Sequence, residues 1–185
     1  MSNHFKGIPT LIATTNITTD VSEVVINSGI DSTYDEHMFV FTGIVFSTNN
    51  GNLAWQCNAT GETGYNEQWV NTVIRARLFE GNSGAEVTYQ TGYDTVGTGS
   101  VYCTGEVGSD SDHCAAGFFH LFHAHLSTAV TQFTSRFNIS GQADSSEEWV
   151  SGGYTSATNA VVSDIKFICT SGNFTAGTIQ HFGIE

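Results

Sequence analysis

Apolar and polar residues alternate along almost the whole chain, and no stretch of eleven or more residues repeats its apolar positions every three to four residues. A period of two is the signature of β-strands with one buried face. Runs of this kind cover residues 11–17, 21–26, 38–46, 53–57, 69–79, 85–91, 101–103, 117–126, 129–139, 149–154, 165–169 and 179–184. Between them lie turn-forming clusters such as Asn49-Asn50-Gly51-Asn52 and Gly81-Asn82-Ser83-Gly84, and a glycine-rich stretch over 92–99. These residues favour tight reversals because glycine and asparagine tolerate positive φ. In 38–46, Met38 and Val40 take one face while Phe39 and Phe41 take the other.

Evenly spaced short strands without an internal repeat predict an all-β fold, an antiparallel jelly-roll β-sandwich with a single domain over residues 11–185. Phe39, Phe41, Ile44, Leu78, Phe122, Phe137, Ile165, Phe167 and Ile184 are its expected core. Residues 161–168, a Gly172-Asn173 turn and the apolar run to Ile184 make the C-terminus a core strand. Residues 1–10, with the single proline, are expected to form an extended arm whose Lys6, Gly7, Ile8 and Pro9 reach a neighbouring subunit.

Composition narrows the partners. The chain has 185 residues and 18 acidic against 5 basic side chains, a net charge of −13. So negative a chain repels nucleic acid and anionic membranes, and neither is expected as a partner. Charged residues are only 12% of the total, about half the usual share, so the surface is built largely from Ser, Thr, Asn and Gln. Such a surface suits burial against identical neighbours, most simply around a threefold axis. Cys57, Cys103, Cys114 and Cys169 have no zinc-site spacing and are expected as free thiols, with a Cys103–Cys114 bridge as the alternative. The N-terminal residues have no apolar signal-peptide segment, which fits synthesis in a reducing cytoplasm.

Candidate chemistry is sparse. Gly117 and five residues lead to His123-Ala124-His125, the spacing that opens the metal motif of cupins, which are jelly rolls. On a strand these two imidazoles would share a face. The glutamate a cupin places four or five residues later is replaced by Ala129 and Val130, so no metal, cofactor or catalytic residue is expected. Asp110-Ser111-Asp112-His113 resembles part of a calcium loop but lacks its glycine and distal glutamate, and reads as hydrated surface. Ser145-Ser146-Glu147-Glu148 reads as a solvated charge run between strands. Glu67, Glu80, Glu86 and Asp94 are a possible carboxylate groove, and Trp55, Tyr65, Trp69, Tyr89 and Tyr93 a possible sugar platform, with packing the preferred role of the aromatics. No nucleophile elbow is present, and no enzymatic activity is expected.

Two blocks carry a family resemblance. Gly29-Ile30-Asp31-Ser32-Thr33-Tyr34-Asp35, followed by Phe39, Phe41 and Ile44, opens it; Ser171-Gly172-Asn173-Phe174, Gly177-Thr178-Ile179 and Phe182-Gly183-Ile184 close it. With Ser135-Arg136-Phe137-Asn138, Gly152-Gly153-Tyr154 and Ile165-Lys166-Phe167 between them, residues 10–185 resemble a family of phage virion structural proteins. That resemblance implies a capsid decoration or cement protein, a homotrimer seated on the major capsid protein of the virion. Its alternative is a tail-fibre protein that contacts host glycans; a carbohydrate-binding module and a cupin-like metalloprotein are further readings.

Overall fold

The structure is a computed structural model that describes residues 7–155 and 161–185. Its elements are all strands: β1 (Thr10–Ile17), β2 (Glu23–Ile26), β3 (Glu36–Phe46), β4 (Leu53–Ala59), β5 (Trp69–Phe79), β6 (Ala85–Tyr89), β7 (Val96–Gly97), β8 (Val101–Tyr102), β9 (Ala115–Phe122), β10 (Gln132–Gly141), β11 (Ser145–Thr155), β12 (Val162–Cys169) and β13 (Phe174–Ile184). Every pairing is antiparallel. They form a single-domain β-sandwich of two very unequal sheets. The larger has the order β1-β13-β3-β9-β10-β11-β5-β6 with β7 beside β5; the smaller has the order β2-β12-β4-β8. The chain crosses repeatedly between the sheets, and only β5–β7 and β9–β11 run consecutively in the large one.

Aromatic rings fill the space between the layers. Phe167 of β12 sits 5.3 Å from Phe39, 4.8 Å from Phe41 and 5.7 Å from Phe119, ring centre to ring centre. Trp55 of β4 makes the equivalent contacts to Trp69, Phe119 and Phe133 at 4.5, 4.7 and 4.8 Å. Most of these pairs are edge-to-face, the geometry the ring quadrupole favours, and each such pair adds about 0.5–1.5 kcal/mol beyond the area it buries.

Strand phase in β3 changes once. Phe39 and Phe41 face inward at odd positions, Ile44 and Phe46 at even ones, and the register slips between Phe41 and Ile44. Gly43, at φ 59°, supplies the left-handed residue that a bulge of this kind needs. Gly177 of β13, at φ 129°, accompanies a matching slip on the adjacent strand. Without both irregularities the second half of each strand would turn its apolar residues to solvent.

The segments flanking β3 pack on the C-terminal strand. Tyr34 lies on Gly183, where a Cβ would come within 2.2 Å of the ring, so any larger residue there displaces the tyrosine. Asp35 N–H donates to Ile184 C=O at 3.1 Å, and Asn173 N–H to the Ser47 hydroxyl at 2.9 Å. The C-terminal strand is interior to the large sheet, between β1 and β3, as its apolar alternation predicts.

Several expectations are corrected. Leu78 is 49% exposed, and Phe122 and Ile184 are only half-buried, because all three point away from the small sheet. The run 117–126 is strand only to Phe122, and 129–139 begins at Gln132. Ser145–Glu148 belongs to β11, with Glu147 buried at 5% exposure. The Cys103–Cys114 bridge is absent: all four thiols are free, and Cys57 and Cys103 are fully buried. Burial pushes the Cys103 thiol up to about 12 and raises Cys57 and Cys169.

Two measurements follow from this packing. Phe167→Ala removes the ring that touches three others, and is expected to cost about 3–5 kcal/mol in urea unfolding. In native protein at pH 8, Cys114 is expected to be the one thiol that reacts readily with Ellman's reagent, whereas all four react in denaturant; thiolate formation at the buried sites is suppressed.

Candidate functional site

His123 and His125, the two imidazoles that a strand would have placed on one face, are not on a strand. β9 ends at Phe122; His123 is exposed and has φ 58°, and its N–H donates to Asp35 C=O at 3.0 Å. This left-handed residue breaks the alternation that would have placed His123 and His125 on one face. His125 turns instead toward Asp35, with Nε2 3.8 Å from Oδ1. Of the arm, Gly7, Ile8 and Pro9 are exposed and β1 starts at Thr10, while Lys6 lies outside the described residues. Trp55 and Trp69 are sealed in the core, and the Trp69 indole donates to Gln56 Oε1 at 3.1 Å, so neither is available to stack on a sugar. Glu67 accepts the Ala59 N–H at 3.1 Å and Glu86 pairs with Arg75 and Arg77, so both carboxylates are engaged within the fold.

A broad feature open to a partner is the outer face of the large sheet. Tyr89, Ile74, Val150, Arg136, Phe118 and Val40 stand in line across β6, β5, β11, β10, β9 and β3. Tyr89, Ile74, Val150 and Phe118 are 50, 47, 41 and 39% exposed, and in the neighbouring rows Val87 reaches 75%. A shallow depression of about 590 Å³ lies among Leu78, Val87, Asn138 and Glu148. The charged side chains of β3, β5, β9, β10 and β11 on this face are Glu36, Arg136 and Glu148. Arg136 pairs with Glu148, and Glu36 meets His120. The face is thus close to neutral on a chain of net charge −13, with exposed apolar side chains on β5, β6, β9 and β11 to either side of the polar outer row of β10. Exposed apolar side chains grouped in this way mark contact surfaces.

The inner face of the same strands, beyond the edge of the small sheet, is charged. Glu147 accepts from the Ser145 hydroxyl and the Trp149 indole, each at 2.9 Å. Arg75 and Arg77 stand 3.9 and 3.7 Å from it and both pair with Glu86 of the edge strand. The Arg75 guanidinium lies 5.6 Å over Trp149, and that of Arg77 4.3 Å over Phe79. A crevice of about 90 Å³ among Arg75, Tyr93, Gln142 and Trp149 holds a few waters at most. This network closes the sandwich where hydrophobic cover runs out. The sequence signal for it was the alternation of Arg75 and Arg77 with Ile74, Ala76 and Leu78, which also reads with the opposite phase.

A second polar cluster is buried outright. His37 Nδ1 and His181 Nε2 are 3.1 Å apart, at 0 and 1% exposure, and His181 stacks on Phe39 at 4.4 Å. Burial first, and His37 second, push His181 down to about 4; burial also lowers His37, against the opposing pull of Asp31. No spacing rule flags these residues, which lie 144 positions apart.

Comparison with protein-family models, curated proteins and solved structures gives no match.

The histidine pair makes stability pH-dependent. Both rings bind a proton less readily in the fold than at the ordinary value of 6.5, so the unfolded chain takes up more protons as pH falls below it. The stability contributed by the neutral pair is fully present above pH 6.5 and declines toward pH 4. Urea unfolding is expected to show a loss on the order of 2 kcal/mol between pH 7.5 and 5.0. His181→Gln, which cannot titrate, should flatten that slope; an unchanged slope would assign it to other groups.

Proposed function

We propose that this chain is a bacteriophage virion structural protein, a decoration or cement subunit on the outer surface of the capsid. The observation that carries the reading is the nearly neutral outer face of the large sheet, with its grouped exposed apolar side chains, on an otherwise strongly acidic chain. A decoration protein must bury such a face against capsomers or identical subunits, and its remaining negative surface keeps particles apart in solution. The interleaved strand order supports a jelly roll of the kind such proteins use, with β2-β12-β4-β8 as one sheet and β3, β9, β5 and β6 contributing to the other. The contact between Tyr34 and Gly183 adds support from a different direction: the opening and closing blocks of the family resemblance form one packed unit, so they are read as parts of a single structural requirement. In this reading the major capsid protein and identical subunits, as a homotrimer, are the partners. The exposed Gly7, Ile8 and Pro9 lead away from β1 as the start of the assembly arm, and no catalytic role is assigned to any residue.

Quantitative mass spectrometry of purified particles tests this. Hundreds of copies per particle are expected for a decoration protein, a handful would move the chain to the tail, and absence from particles would overturn the reading. Val87→Glu combined with Ile74→Glu places charge on the exposed face and is expected to reduce occupancy at least tenfold, while thermal unfolding of the free protein changes little, because both sites are outside the core.

A further inference from the structure

We infer that Asp110, His113 and Asp144 form a binding site for one divalent transition-metal cation of the zinc class. One ligand atom from each residue lies within 4.8 Å of the other two. Asp110 and His113 occupy the turn before β9, where the His113 N–H donates to Asp110 C=O at 2.9 Å and draws both residues to one side. Asp144 arrives from the β10–β11 hairpin, in the left-handed conformation at φ 49°. A tetrahedral zinc ion with bonds of about 2.0–2.2 Å holds its ligands roughly 3.3–3.6 Å apart, so the three groups need to close by only about 1 Å.

The imidazole is the observation that points to an ion. His113 is 8% exposed, yet its Nδ1 is buried without a hydrogen-bond partner, and its Nε2 stands 4.0 Å from Asp144 Oδ1, beyond hydrogen-bond reach. Nδ1 lies against Gly108, so Nε2, on the aspartate side and without a hydrogen bond, is the nitrogen that an ion would engage. Gly108 permits this ring position: a Cβ there would fall 1.8 Å from Nδ1, so a larger residue would displace the imidazole. With the proton on Nδ1, the Nε2 lone pair is aimed at the carboxylates. One imidazole and two carboxylates leave a fourth position for water, a donor set suited to zinc and lacking the oxygen count that calcium takes.

The site would clip the loop before β9 to the β10–β11 hairpin. That junction is already bridged by Val107, which pairs with both Gly51 and Gly141. The inference stands independently of the virion reading, since it uses neither the outer face nor any capsid partner.

The test is calorimetric titration of zinc chloride into untagged full-length protein stripped with chelator, alongside thermal unfolding. One equivalent is expected, with a melting midpoint raised by about 5 °C at a hundredfold excess over Kd. Asp110→Asn and Asp144→Asn alter exposed side chains and leave folding intact; each should weaken binding at least tenfold, whereas Asp112→Asn should leave it unchanged. Zinc should also shift the His113 ring resonances in nitrogen-15 spectra. No saturable binding, equal loss in Asp112→Asn, or calcium binding that survives His113→Gln would overturn the proposal; the first two would mean only diffuse counterion attraction to an acidic chain.

Discussion

A four-stranded sheet cannot cover a nine-stranded one, and the rest of this structure follows from that mismatch. Where the layers overlap, Phe167 and Trp55 of the small sheet interlock with Phe39, Phe41, Phe119 and Phe133 of the large one. Rings this large tolerate little displacement, since each edge is set against the face of another. They fix the distance between the layers and the phase of every strand that supplies one. Val107 secures the same arrangement at the margin, joining the β3–β4 turn to the end of β10.

Past that overlap the inner face of the large sheet needs other cover, and two solutions are used. Beside β5 and β11 the cover is ionic: Glu147 is held by a hydroxyl, an indole and two guanidinium groups that also bind Glu86. A buried carboxylate is tolerated only when so fully engaged. Beside β3 and β13 the cover is a neutral histidine pair, stacked on Phe39 and roofed by the loop carrying Tyr34. The first depends on charge being kept, the second on charge being absent, so acidification acts on them differently.

Function is proposed from the opposite side of the same sheet. Because the rings lock strand phase, Ile74, Leu78, Val87 and Val150 have nowhere to go but outward. A monomer gains nothing from such a face, while an assembling subunit has a direct use for it. The loops at the sandwich margin hold the remaining chemistry, where His113 and two aspartates from separate loops come together.

Period-two alternation determined the all-β class, nearly every strand and the aromatic core, because side-chain direction along a strand is a local property. The C-terminal strand was legible for the same reason. Phase was not always legible. In β5 the sequence alternates Ile74, Ala76 and Leu78 with Arg75 and Arg77, and local reasoning places Leu78 inside; Trp69 and Val73, locked in the core, force the arginines inward instead. Glu147 read as solvated because its arginine partners come from β5, distant in sequence and adjacent only through strand pairing. His123 and His125 appeared to share a face until one left-handed residue ended the strand. Asp144 joined Asp110 and His113 across two hairpins, and His181 met His37 across a sheet, contacts set by register between strands. Local periodicity decides what a segment is; only the packed sheets decide which side chains meet, because that depends on phases fixed collectively by the core.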